Sequence, residues 1–173
     1  MSSAADSLEL LFNQATIDFV TRSLVRLGAS RGDLEDLAQD VMVIALSKQQ
    51  TFDAQRALYP WLWGIARNRL RDYRDLARHR REVVGDDSAE ARASDGSAAA
   101  DERLLGKALQ VALGNLGDDM QLLVVLHDLE SWTLGECAAG LEISVDTAKY
   151  RLQLARRSLR DQITRAEARS SRD

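Results

Sequence analysis

One cysteine, one proline and two histidines are all that the 173 residues contain of those types. A single thiol, Cys137, rules out an internal disulfide. With His79 and His127 far from it in sequence, it makes no metal-ligand cluster either. Cys137 lies in the apolar series of a predicted helix and is expected to be a small core residue. No apolar run approaches the roughly 18 residues that span a bilayer. The opening MSSAADSLEL has neither the basic nor the apolar section of a signal peptide, so a cytoplasmic location is expected. Glycine-rich phosphate loops and nucleophile–base signatures are missing too. No enzyme activity, cofactor or metal is expected, and the adjacent Asp118 and Asp119 read as the start of a helix.

Aromatic residues make up 5% of the chain, while hydrophobic residues reach 45% and charged residues 29%. Leu, Ala, Arg, Asp and Glu dominate, which favours helix, and nothing alternates with the period of two that marks strands. The expected fold is all-α: two small helical domains, at 1–82 and 101–173, joined by a flexible acidic linker at 83–100, VVGDDSAEARASDGSAAA. In the first domain a helix is expected from about Ser7 to Leu27, with Leu8, Leu11, Phe12, Ala15, Phe19 and Leu24 as its apolar series. A second helix follows Asp33, a candidate N-cap, with Leu34, Leu37, Ala38, Val41, Ile44 and Ala45 inward. KQQTFDAQRALY reads as a loop, after which Pro60 opens a third helix at its favoured first position.

The chain is acidic, with a net charge of −4, yet Lys149 through Arg160 holds five basic residues and no acid. The context of this helix is informative. Thr133 and Glu136 in TLGE form a capping box, and Leu134, Cys137, Ala138 and Leu141 share one face. Ser144 is the next N-cap, and Val145, Ala148, Leu152, Ala155 and Leu159 then fall on one stripe. Two short helices with about three residues between them and a small residue, Ala138, at the crossing make a helix-turn-helix. Its second helix leaves Lys149, Tyr150, Gln153, Arg156, Arg157 and Arg160 outward, as suits a helix read into a major groove. A solvated basic face is the alternative.

The helix from Pro60 carries a second basic stripe, Arg67, Arg71, Arg74 and Arg78, with Trp63 beside it. Leu62, Ile65, Ala66, Leu70, Tyr73, Leu76 and Ala77 cover the opposite face, and Trp61, Asn68, Asp72 and Asp75 lie on the flank. Arginines beside aromatic rings suit single-stranded or opened DNA, although buried tryptophans and solvated arginines give the same pattern. Arg69 falls inside the apolar sector without an evident partner.

Three segments in this order resemble the extracytoplasmic-function group of the bacterial sigma-70 family: DLAQD at 36–40, WLWGIARNRLRDY at 61–73 and TAKYRLQLAR at 147–156. The likeness extends over about residues 7–163. It implies a first domain that docks on the clamp helices of core RNA polymerase through Asp36, Gln39, Asp40 and Val43. The same domain would capture a flipped base of the minus-ten promoter element through Thr51, Phe52, Asp53, Gln55, Arg56, Trp61, Arg67, Asn68 and Arg71. Unstacking a base costs a few kcal/mol, recovered in a fitted pocket. The second domain would read the minus-thirty-five element through Thr147, Lys149, Tyr150, Arg151, Gln153, Arg156 and Arg157. The resemblance further implies a cognate anti-sigma factor as partner and no membrane insertion of this chain. The chain departs from the family's pattern at Gly117 and Gln121, at Glu142 where the turn commonly has glycine, and at Tyr150, Gln153 and Leu154 on the reading helix. A sigma-like decoy that titrates an anti-sigma factor without starting transcription is the alternative function. An ordinary helix-turn-helix repressor would need a dimerisation helix, and none stands out.

Overall fold

The computed structural model describes residues 13–53, 55–84 and 97–170, with side-chain environments for 13–53, 55–79 and 106–168. These residues form helices and turns, with no strand among them. They fall into two compact units. The first holds α1 (Gln14–Arg26), α2 (Leu34–Lys48), a 3₁₀ turn (Gln49–Thr51) and α3 (Leu58–Val84). The second holds α4 (Ser97–Gly114), α5 (Asp118–Val124), α6 (Leu134–Gly140) and α7 (Val145–Ser170).

In the first unit each helix packs on the other two. Asn13 caps α1, its side chain accepting from the Thr16 amide at 2.8 Å. Thr16, Phe19, Val20, Ser23 and Leu24 are buried at helical spacing. Ala15, expected in that series, is exposed, and Ser7 to Phe12 lie outside the described residues. From α2 come Leu37, Val41, Met42 and Ala45, and from α3 Leu62, Trp63, Ile65, Ala66 and Leu70. Side chains such as Phe19, Leu24, Leu37 and Leu62, each at most 1% exposed, contribute about 1.5–3 kcal/mol apiece through burial.

Several boundaries differ from expectation. Asp33 precedes α2 but makes no side-chain cap. Its carboxylate instead accepts from the Ser30 hydroxyl at 2.6 Å, which draws it back toward the preceding turn. α2 runs on through Lys48, and α3 starts at Leu58, making Pro60 its third residue. None of the first four helical N–H groups has an intrahelical acceptor, so the missing N–H of proline is tolerated throughout that turn. Trp63 is buried rather than beside the arginines, because two helices pack on α3 and widen its inward sector. Leu76 is half-exposed. At 27 residues α3 outruns α1 with 13 and α2 with 15, so Leu76 has less cover than the residues nearer its start.

In the second unit α7 is the hub, packing on α4, α5 and α6, and α5 is its most buried neighbour. Gln121 and Leu122 through Leu126 are consecutively buried, as in a helix surrounded on all sides. The helix widens into a π turn, Val125–Leu129, closed by the Glu130 amide on the Val125 carbonyl at 3.0 Å. The same core takes Ala112, Leu113 and Leu116, Cys137 and Ala138 from α6, and Ala148, Leu152, Ala155 and Leu159 from α7. Cys137 is thus the core residue expected, whereas Val145 is half-exposed. α4 begins at Ser97, inside the stretch expected as linker, and α3 extends to Val84. Alanine-rich SAAADE prolongs a helix at little cost. Residues 85–96 lie outside the described residues.

Candidate nucleic-acid interface

The break between α6 and α7 is built from local hydrogen bonds. Thr133 accepts from the Glu136 amide at 3.2 Å, and the Glu136 carboxylate accepts from the Thr133 amide at 2.7 Å. The Thr133 hydroxyl also donates to that carboxylate, and these bonds, the hydroxyl's foremost, hold the Glu136 carboxyl below its ordinary pKa. The end of α6 is closed by the Ile143 amide on the Ala138 carbonyl at 3.0 Å and the Glu142 amide on Ala139 at 3.2 Å. This paired closure requires a left-handed residue after the helix, and Glu142 occupies it at φ 57°. Ser144 then caps α7, accepting from the Thr147 amide at 3.1 Å.

On α7 the buried stripe of Ala148, Leu152, Ala155 and Leu159 turns Lys149, Tyr150, Gln153, Arg157 and Arg160 to solvent. Two arginines border the stripe on either side and reach back to the scaffold. Arg151 donates to Asp119 of α5 at 2.6 Å. Arg156 donates through Nε to Asp128 of the π turn at 3.0 Å and again through Nη2 to the other oxygen. Those hydrogen bonds raise the Arg156 pKa above its ordinary value. Thr147 is engaged with Ser144, hydroxyl to hydroxyl at 2.8 Å. Of the seven positions expected to face DNA, Lys149, Tyr150, Gln153 and Arg157 form one exposed surface, while Thr147, Arg151 and Arg156 also hold the helix in place.

In the first unit the described residues between α2 and α3 are tied by local hydrogen bonds. Thr51 donates to the Lys48 carbonyl at 2.8 Å, and the Asp53 side chain accepts from the Gln55 amide at 2.9 Å. The Phe52 ring lies tilted on Trp61, centroids 4.6 Å apart. This brings Thr51, Phe52, Asp53 and Trp61 together at the start of α3, with exposed Gln55 and Arg56 alongside. Farther along α3, Asn68 and Arg71 are exposed and Arg67 is half-buried. Asp36, Gln39 and Val43 are exposed on α2, Val43 at 64%. Asp40 accepts two hydrogen bonds from Arg69, at 2.8 and 2.5 Å. That pair explains the arginine inside the apolar sector: the guanidinium crosses to a neighbouring helix. Arg74 similarly leaves the basic stripe, donating to the Leu27 and Gly28 carbonyls at the end of α1.

Residues 14–82 match the family Sigma-70 region 2, and residues 106–159 match Sigma-70, region 4. RNA polymerase sigma factor CarQ of Myxococcus xanthus is 32% identical over 91% of this chain and 90% of its own. The chain belongs to the extracytoplasmic-function sigma factors. It is also 28% identical to the ECF RNA polymerase sigma factor SigF of Caulobacter vibrioides, over 82% of this chain and 77% of that one. Among solved structures it shares its fold, with a TM-score of 0.51 and 24% identity, with the sigma factor RpoE of Bartonella quintana in complex with the anti-sigma factor NepR. That likeness covers 92% of this chain and 96% of the other. As a sigma factor it binds core RNA polymerase and promoter DNA in transcription initiation, a role without catalysis of its own. Among the described residues no helix is long and apolar enough to cross a membrane.

Sequence reasoning missed the two carboxylates that anchor α7, Asp119 and Asp128. They lie 32 and 28 residues from their arginines. Neither helical spacing nor capping rules reach that far.

Proposed function

We propose that this sigma factor reads the minus-thirty-five element with the exposed face of α7 and captures a minus-ten base between the 49–56 turn and α3. Lys149, Tyr150, Gln153 and Arg157 face the groove, Gln153 and Arg157 suiting base edges and Lys149 suiting phosphate. Arg151 and Arg156, held by carboxylates, fix the angle at which α7 enters. Phe52 on Trp61 makes an aromatic floor, and Asn68, Arg67 and Arg71 line the strand path beyond it. Asp36, Gln39 and Val43 form the polymerase-docking face of α2. The domain roles are accordingly minus-ten and polymerase contact for residues 1–82, and minus-thirty-five contact for residues 101–173. The likeness to a sigma factor crystallised with an anti-sigma factor supports regulation by such a partner, acting with this chain in the cytoplasm.

The observation that carries this reading is the sorting of cations on α7, Arg151 and Arg156 tied inward and Lys149 and Arg157 exposed beside Gln153. The test is binding of the chain to bacterial core polymerase, followed by run-off transcription from promoter fragments selected by the complex. Lys149→Ala is expected to weaken promoter binding about uniformly across sequences and to flatten its salt dependence by about one phosphate's worth. Asn68→Ala is expected to leave closed-complex binding intact and to lower open-complex formation. Folded, uninhibited protein that fails to bind core polymerase would refute the proposal.

A further inference from the structure

The reading face of α7 contains a feature that charge does not explain. Tyr150 is 66% exposed and Leu154 is 38% exposed. Four residues apart, they are neighbours on one side of the helix. Lys149, Gln153 and Arg157 are exposed next to them, and no acid occurs between Asp146 and Asp161. A protein-docking patch is a poor account of the pair. Stable protein interfaces bury on the order of 1,000 Å² or more and are depleted of lysine at their centre. Here two side chains stand amid cations. In a major groove, however, the apolar group displayed by a base pair is the thymine 5-methyl, and apolar side chains read it by contact.

We infer that Tyr150 and Leu154 form an apolar edge that packs on thymine methyl groups of the minus-thirty-five element, selecting A·T pairs by hydrophobic contact. This rests on α7 being the helix that enters the groove. Gln153, between them in sequence, is suited to adenine N6 and N7, so one turn of helix can address both bases of such a pair. The Lys and Arg side chains flanking the edge hold it against the phosphates without reading sequence.

The test uses holoenzyme assembled from the full chain and core polymerase, with a promoter fragment selected by that holoenzyme from a random pool. Each thymine in the upstream footprint is replaced singly by deoxyuridine, which removes only the methyl. Wild type, Tyr150→Ala and Leu154→Ala are compared, each checked for native helicity. At one or more positions uracil is expected to weaken wild-type binding by about three- to five-fold, the effect of one methyl left unburied. In at least one of the two variants that penalty should vanish. Lys149→Ala, by contrast, should weaken binding to thymine and uracil fragments equally. Uracil penalties that are absent, or identical in wild type and both variants, overturn the inference while leaving groove entry by α7 standing. A holoenzyme that transcribes but shows no upstream footprint overturns both. Loss of polymerase binding in the two variants, with thymine sensitivity unchanged, would assign the edge to a protein contact and overturn the inference.

Discussion

Glu142, in the turn of the helix-turn-helix, has a left-handed backbone, as Ser131 does among the other described non-glycine residues. At φ 57° its Cβ crowds the backbone, at a cost of roughly 1–2 kcal/mol for a residue that is not glycine. Glycine is less ordered in the unfolded chain, which offsets part of the relief. Glu142→Gly should therefore stabilise the second unit by about 0.5–1 kcal/mol, read as a rise of a few degrees in its thermal transition. An unchanged or lower midpoint would refute this. The break was legible in the sequence because capping is local, the box at Thr133 and the Ser144 cap bracketing it from either side; Glu142 itself stood out only against the glycine common in the family's turn. Cys137 is a second case. Burial, and then the nearby Glu136 and Asp128 carboxylates, raise its thiol pKa to about 11. The folded state therefore keeps its proton where an unfolded thiol loses it. The resulting stability is complete below pH ~8.5 and declines as pH rises toward that folded value. A thiol-alkylating reagent at pH 8 should react far more slowly with folded protein than with protein in denaturant. Equal rates would show an accessible thiolate.

At the level of whole elements, pairs far apart in sequence decide what periodicity cannot. Arg69 lies in the inward sector of α3, and only the approach of α2 provides Asp40 as its partner, at 27% and 46% side-chain exposure. With both groups partly solvated, a double-mutant cycle on Asp40→Ala and Arg69→Ala should return a coupling of about 1 kcal/mol. The paired variant should be less destabilised than the sum of the single ones. Additive losses in the denaturation midpoints would show that the pair contributes nothing jointly. The same two-helix approach buries Trp63, and its end point leaves Leu76 exposed. A helical wheel drawn from sequence gives the centre of the buried sector but neither its width nor its length, because both depend on the neighbours. Helix ends were displaced for a related reason: Lys48 is a good helix residue with no breaker after it, and Ala98 to Ala100 carry α4 back to Ser97, next to Gly96.

For the whole molecule, the informative quantity is where charge is placed under a net of −4. Several cations that could hold phosphate are instead joined to carbonyls or carboxylates: Arg74 to the end of α1, Arg151 to Asp119, Arg156 to Asp128. The isolated chain should accordingly bind duplex promoter DNA weakly and steeply with salt, and the holoenzyme tightly. Fluorescence anisotropy at two salt concentrations checks this; tight, salt-insensitive binding by the chain alone would contradict it. The two-domain helical plan was legible from apolar periodicity and the linker's composition, and the family from three short segments in order. The internal anchoring of α7 was not. That anchoring has an evolutionary consequence. Because Arg151, Arg156 and the buried stripe hold the helix, positions 149, 150, 153, 154 and 157 can drift without disturbing the scaffold. With α7 reading the promoter as proposed, a duplicated gene could thus acquire a new set of target promoters in a few steps, each step passing through a folded protein.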